Sequence, residues 1–159
     1  MHAAKTRVSL GRTGLLAGLL TTLFLIVYFL LMRMLGLTGY ASAWLFNLLI
    51  LFVGINYCYR YYRKQTDPDM GYLPGMMLGA ELAVVSVVTY TAFIYLYFAF
   101  IDPAHLTALN GNILFMTENG SPIRAAFVTF IEGLSSGIVI SFIMMQYYKV
   151  GFKESAKDF

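Results

Sequence analysis

The stretch that decides the fold is the last hydrophobic segment, Gly120 to Lys149, which reads GSPIRAAFVTFIEGLSSGIVISFIMMQYYK. A helix rises about 1.5 Å per residue, so a segment of this length can cross a hydrocarbon core of about 30 Å. It carries an acid, Glu132, well inside the apolar run, with Gly133, Gly137 and Ser141 beside it at four-residue spacing. This segment predicts a membrane-spanning helix against which other helices of the chain pack.

The composition of the chain indicates that its solvent is lipid. Of 159 residues, 59% are hydrophobic and 12% are charged, whereas soluble domains contain about a quarter charged residues. A chain this short cannot bury so much apolar surface in one aqueous core, and its length predicts a single domain over residues 1–159. The lone cysteine, Cys58, excludes an internal disulfide and a metal site built from cysteines.

Four apolar segments predict an all-α integral membrane four-helix bundle, with spans at about 14–32, 42–59, 75–101 and 123–148. A signal peptide is the alternative for the first segment, because a basic stretch precedes it. The apolar run of about 19 residues exceeds the usual 7–15 of a signal peptide, and no small-x-small cleavage site follows it at once. We therefore expect a retained helix.

Prolines mark the ends of the connection between the third and fourth segments. Asp102–Pro103 ends the third span, and Asp102 is expected to cap a new short helix with Pro103 in its first position. Residues 103–121 are then a partly apolar loop that we expect to lie on the bilayer surface. Ser121–Pro122 repeats the same signal and is expected to start the fourth span.

The basic residues predict the orientation of the chain. Three precede the first span, three end the second and three follow the fourth, whereas Arg33 and Arg124 are the two at the other ends of the helices. Because cytoplasmic loops carry the excess of lysine and arginine, both termini are expected in the cytoplasm and the helices to alternate in direction. The nine residues are Lys5, Arg7, Arg12, Arg60, Arg63, Lys64, Lys149, Lys153 and Lys157.

Two intramembrane acids are the foremost candidate functional residues. Glu132 lies roughly 13 Å from the nearer end of its helix, where a charged residue costs about 2.5–3.5 kcal/mol on insertion scales. We expect it to face protein, to be protonated, or both, and to handle a proton or substrate or simply to hydrogen-bond between helices. Glu81 is expected near 9 Å deep at the cytoplasmic side of the third span, about 13 Å from Glu132 along the membrane normal. It is expected to serve in packing, to reach the interface, or to bind a basic residue of a partner.

Further polar and small residues predict contacts between helices and with the interface. Asn47 and Asn56 are expected to form hydrogen bonds between helices. The basic tyrosine collar, Arg60, Tyr61, Tyr62, Arg63 and Lys64, is expected to anchor the second span at the headgroups, with contact to anionic lipid as the alternative. Small residues at four-residue spacing predict close helix packing, with each other, another copy or another protein. They are Gly14, Gly18, Gly75, Gly79, Ala83, Gly133, Gly137 and Ser141.

Four stretches give the chain a resemblance to a known family: GRTGLLAG, YRYYRK, the span from PGMMLGAEL to FIDP, and FIEGLSSGIVISFIMMQYYK. Together they resemble the four-helix bacterial membrane proteins grouped as domain of unknown function 4199, typical of Bacteroidota. The resemblance covers nearly the whole chain and implies a bacterial inner-membrane location. It implies no established reaction, so it carries over no catalytic residue.

The function expected from the sequence is that of a non-enzymatic accessory or scaffold subunit of an inner-membrane complex. Its partners are expected to be membrane lipids and a larger integral membrane protein or further copies of the chain. A lipid-linked glycosyltransferase, a secretion or motility complex and a respiratory assembly are examples of the larger partner. The alternative is a small proton-coupled transporter or lipid-handling protein that uses Glu132 and Glu81. The sequence shows no phosphate-binding loop, nucleophile elbow or metal-binding helix motif, so we expect no cofactor, no metal, no nucleic acid and no enzymatic activity.

Overall fold

The computed structural model describes residues 9–37, 41–65, 72–104 and 121–155, and in these ranges the chain is helical and has no strand. The predicted all-α fold is therefore confirmed. The third helix continues directly into a π-helical turn, Tyr97–Ile101. The four long helices of the described ranges are α1 (Leu10–Met34), α2 (Ala41–Gln65), α3 (Tyr72–Leu96) and α4 (Pro122–Ser155).

Local signals explain where two of the helices begin and end. α1 stops at Gly36, whose φ of 70° is in the left-handed region, and the amides of Gly36 and Leu37 bond back to the carbonyls of Arg33 and Met32. α4 starts as predicted at Ser121–Pro122, because the Arg124 amide donates to Ser121 Oγ at 3.3 Å. The predicted surface loop lies mostly at residues 105–120, outside the described residues, as do Lys5, Arg7 and Lys157.

Three of the helical segments are long and apolar enough to cross a membrane, as judged by length and composition. They are Leu10–Met34, Tyr72–Ile101 and Pro122–Tyr148. α2 is not among them, but it runs beside the others over the same height. Its Phe46 packs against Tyr28 late in α1, and its Tyr59 lies against Gly79 early in α3. The chain is thus a membrane protein whose second helix is packed among the three apolar ones.

The contacts between helices show an alternating topology with α3 at its centre. α1 and α3 run parallel, since Gly18 contacts Val85 and Phe29 contacts Phe93. α3 and α4 run antiparallel, because Ala83 meets Gly137 and, further along α3, Val87 meets the earlier residue Gly133. α3 packs most extensively against α1 and α4, while α2 packs mainly against α1. The starts of α1 and α3 and the end of α2 thus share one end of the bundle, the basic end, while Arg33 and Arg124 lie at the opposite end.

Small and polar residues form the interior of α1, and large apolar residues form its surface. Its buried residues are Thr13, Gly14, Gly18, Thr21, Thr22 and Leu25, whereas the exposed positions from Leu15 to Leu31 are leucine, phenylalanine or valine. Lipid tails are as apolar as leucine, so helices in a bilayer gain more from close backbone packing and interhelical hydrogen bonds than from burying large side chains. This inverted pattern fits a helix that packs in lipid.

A group of hydroxyls joins α1 to α3 at the middle of this interface. Ser86 Oγ donates to the Gly18 carbonyl at 3.0 Å. Thr22 Oγ1 contacts the same carbonyl at 3.0 Å and the Ser86 carbonyl at 3.3 Å. These short side chains satisfy their hydrogen-bonding groups without separating the helices, which fixes α1 and α3 in register.

Candidate functional site

The two small-residue faces of α3 and α4 meet each other within the chain. A Cβ built at Gly137 would lie 2.5 Å from Ala83 Cβ, and one at Gly133 would lie 2.9 Å from Val87 Cγ2. One built at Gly79 would lie 2.6 Å from Ser141 Oγ. Gly75 is also buried on α3. These faces therefore hold the chain's own helices together and are not available to another protein.

Gly14 and Gly18 serve the corresponding interface between α1 and α3. A Cβ at Gly18 would lie 2.8 Å from Val85 Cβ, so the glycine lets the two backbones approach. A Cβ at Gly14 would lie 2.8 Å from Glu81 Oε2. Gly14 thus makes room for a carboxylate, a role that the spacing of the glycines did not reveal.

Glu81 lies along the first turns of α1, where its side chain is half-buried. Its Oε1 is 3.3 Å from the position of a Cβ at Gly11, one residue after the start of α1. The carboxylate makes no hydrogen bond or ion pair with a described residue. Its side chain therefore extends along α1 toward the basic end of the bundle.

Glu132 lies on the exposed side of α4 and makes no hydrogen bond with a described residue. It is close enough to Tyr90 for an electrostatic interaction. The sequence led to the expectation that Glu132 faces protein, is protonated, or both. Within the described residues, α4 turns Gly137 and Ser141 toward α3 and leaves Glu132 on the opposite, exposed side. We call the exposed stripe of Glu132, Ser135, Val139 and Phe142 the outer face of α4.

The two asparagines of α2 form contacts to two different helices. Asn56 Oδ1 accepts a hydrogen bond of 2.7 Å from the Tyr148 hydroxyl of α4. Asn47 is hydrogen-bonded to the buried Tyr90 of α3. Asn47 Oδ1 itself is buried without a partner. Both residues lie between helices as the sequence predicted.

The structure keeps the two acids apart. Glu81 precedes Tyr90 by nine residues on α3, which corresponds to about 13 Å along the helix, and Tyr90 lies near Glu132. Glu81 points toward α1, whereas Glu132 points outward from α4. The two carboxylates therefore do not share a site.

The basic tyrosine collar partly packs onto the end of α4. The Arg63 guanidinium lies 5.2 Å from the centre of the Tyr148 ring, and Tyr62 packs against the buried cluster at this end. Arg60, Tyr61 and Lys64 remain exposed. The collar thus combines a helix contact with a basic surface at the level expected for lipid headgroups.

An ion pair that the sequence analysis missed closes the opposite end of the bundle. Arg33 Nε donates to Asp102 Oδ2 at 3.0 Å, and Arg33 is also hydrogen-bonded to Tyr97 of the π-helical turn. Asp102 was expected to precede a new helix that starts at Pro103. Residues 103–104 are helical, as expected, and the Asp102 carboxylate in addition binds Arg33 of α1. The signal was present, since both charged residues were assigned to the same end of the bundle.

No group of three histidine, cysteine, aspartate or glutamate side chains that could hold a metal ion occurs within the described ranges. Cys58 is buried and carries a free thiol. The titratable groups named above lie at different helix contacts or on exposed surfaces and do not converge on one point. The described polar groups therefore form separate contacts and not a catalytic constellation.

Comparisons with known proteins agree with the resemblance seen in the sequence. The family model described as "Protein of unknown function (DUF4199)" matches residues 13–149, which is most of the chain. No curated protein and no solved structure matches the chain significantly.

Proposed function

Because the chain belongs to the DUF4199 family, which is described as having unknown function, no activity follows from its membership, and we propose that it is a non-enzymatic accessory or scaffold subunit of a membrane complex. It assembles with other membrane-embedded helices through the outer face of α4. The observation that carries this proposal is the exposed position of Glu132 in the middle of an apolar helix.

The physical reason is the free energy of a carboxyl group in hydrocarbon. Glu132 follows Pro122 by ten residues, which corresponds to about 15 Å along α4, and an acid at such a depth costs a few kcal/mol unless a hydrogen-bonding group meets it. The described residues of this chain supply no such hydrogen bond. A neighbouring helix that packs on the outer face of α4 removes the acid from lipid and supplies one.

Location and partner class form part of the proposal. We place the chain in the bacterial inner membrane with both termini cytoplasmic. The support is the sequence, in which nine basic residues flank the predicted cytoplasmic ends of the spans and two, Arg33 and Arg124, flank the other ends. The partner class is an integral membrane protein or further copies of the chain. A lipid-linked glycosyltransferase belongs to that class, but no described residue favours it over another member.

The geometry gives less support to the alternative of a proton-coupled transporter. Such a transporter needs its acids along one path through the protein. Glu81 and Glu132 face different surfaces, about 13 Å apart in height. The outer face of α4 is therefore better explained by assembly than by transport.

Photo-crosslinking in native membranes tests the proposal. A photoreactive amino acid at Val139 on the outer face of α4 is compared with one at Leu20 on the exposed side of α1. We expect protein adducts of one defined size from position 139 and lipid adducts from position 20. If both positions yield only lipid adducts, the outer face of α4 faces lipid and the proposal is wrong.

A further inference from the structure

The exposed surfaces of α1, α2 and α3 show what a lipid-facing helix looks like in this chain. Among the residues whose exposure is described, the exposed side chains from Leu45 to Val53 of α2 are leucine, phenylalanine and valine. From Met77 to Ala92 of α3 they are methionine, valine and alanine. The surface of α1 follows the same rule. The outer face of α4 is different, because two of its exposed side chains near mid-height, Glu132 and Ser135, are polar.

These two polar residues lie on one stripe, because positions three and four apart are neighbours on a helix surface. Ser135 follows Glu132 by three residues, and Val139 follows Ser135 by four. Ser135 is also small, so a second helix can approach closely at this point. The stripe thus combines a hydrogen-bonding group, the Glu132 carboxyl, with a small side chain, Ser135, that lets another helix come close.

We propose that the outer face of α4 is the interface between two copies of this chain, related by a two-fold axis along the membrane normal, with the two Glu132 side chains paired across it. This inference rests on the proposed function and names the partner. Copies inserted in the same orientation place equivalent residues at the same depth, so near the axis each residue meets its own counterpart. A neutral carboxyl group both donates and accepts a hydrogen bond, and it therefore satisfies an identical group.

The charges of the chain favour this pairing over contact between Glu132 and another residue of a second copy. The exposed basic side chains Arg12, Arg60 and Lys64 lie at the basic end. Arg124 precedes Glu132 by eight residues, or about 12 Å along the helix. In a copy of the same orientation these basic groups stay at their own depths. The described polar groups near the depth of the acid on α4 are then Glu132 itself and the hydroxyls of Thr129, Ser135 and Ser136.

Disulfide cross-linking of purified protein in lipid vesicles tests the inference. Cys58→Ala removes the native thiol, and Ser135→Cys places a thiol on the proposed axis. Leu19→Cys is a matched control at the same height on another helix. Its neighbour Gly18 contacts Val85 of α3, and Val85 lies midway between Ala83, which meets Gly137, and Val87, which meets Gly133. Leu19 is therefore at the height of Ser135 but on the exposed side of α1. We expect a cross-linked dimer from Ser135→Cys and little from Leu19→Cys; equal yields overturn the proposal.

Two substitutions of Glu132 distinguish a hydrogen bond between the two acids from simple closeness of the two α4 helices. On the Ser135→Cys background, Glu132→Leu removes the hydrogen bond and is expected to weaken dimerisation about tenfold, whereas Glu132→Gln retains a donor and an acceptor and keeps most of it. An unchanged dimer in Glu132→Leu contradicts the pairing. Should that variant fail to fold, the comparison of Ser135→Cys with Leu19→Cys in the presence of Glu132 decides.

The cross-linking experiments also distinguish this inference from the proposed function. If position 139 is linked to a different protein in native membranes and Ser135→Cys gives no dimer in vesicles, the second copy is the wrong occupant and the accessory role stands. If neither experiment yields a protein adduct, both proposals fail.

Discussion

Gly137 of α4 lies directly against Ala83 of α3, so close that a Cβ on the glycine would be 2.5 Å from the alanine Cβ. Both residues belong to the sets of small residues at four-residue spacing on their helices. Their contact sets the height at which the two antiparallel helices meet. Val87 with Gly133 and Gly79 with Ser141 follow on either side at the same spacing. The positions of the small residues therefore determine the register of α3 against α4.

Gly137→Val is expected to destabilise the bundle by about 1–3 kcal/mol, because the added side chain must displace the Ala83 backbone or separate α3 from α4. Ala92→Val adds comparable bulk at an exposed position of α3 and is expected to change stability little. The measurement is unfolding in mixed micelles at increasing SDS fraction. Equal stability of the two variants would mean that the close contact does not exist in the membrane.

Tyr148→Phe is expected to lower the free energy of unfolding by about 0.6 kcal/mol, the average for a hydrogen bond between membrane helices. The substitution removes the 2.7 Å bond to Asn56 Oδ1 and leaves that oxygen without its donor. Tyr147→Phe is the matched control, since Tyr147 is adjacent and 73% exposed. The same SDS titration measures both, and a larger loss from the Tyr147 variant contradicts the assigned contact.

The helices could be predicted from the sequence because their signals are local. Apolar length gives the spans, and Ser121–Pro122 gives the start of α4. Small residues at four-residue spacing identified faces that pack closely, but not the partner of each face. That choice depends on which helices become neighbours, and Gly79 could be matched to Ser141 only once α3 and α4 were side by side.

The environment of each acid could not be predicted for a related reason. Depth along a helix follows from counting residues, whereas direction follows from the face that the neighbours bury. Burial of Gly137 and Ser141 against α3 turns Glu132 outward, and the glycines of α1 accept Glu81 alongside them. The small-residue spacing indicated which side of α4 packs closely, but it did not identify the helix on that side, so the surroundings of Glu132 could not be predicted.

The ion pair between Arg33 and Asp102 predicts energetic coupling between α1 and the turn after α3. The two side chains are 33% and 21% exposed, so the pair is partly screened, and we expect a coupling energy of about 1 kcal/mol. A double-mutant cycle of Arg33→Gln, Asp102→Asn and the double variant, followed by SDS unfolding, measures it. Strictly additive losses would show that the pair contributes no interaction energy.

The proposed orientation predicts that opposite ends of the bundle differ in access to a reagent that cannot cross membranes. The test uses a Cys58→Ala background and spheroplasts whose inner membrane is intact. Arg124→Cys is expected to react with an impermeant maleimide added to them, because the positive-inside rule puts this end outside the cytoplasm. Lys64→Cys at the basic end is expected to react only after the membrane is permeabilised. Both positions are exposed on the protein, so a difference reports the side of the membrane, and the reverse pattern would place the termini outside.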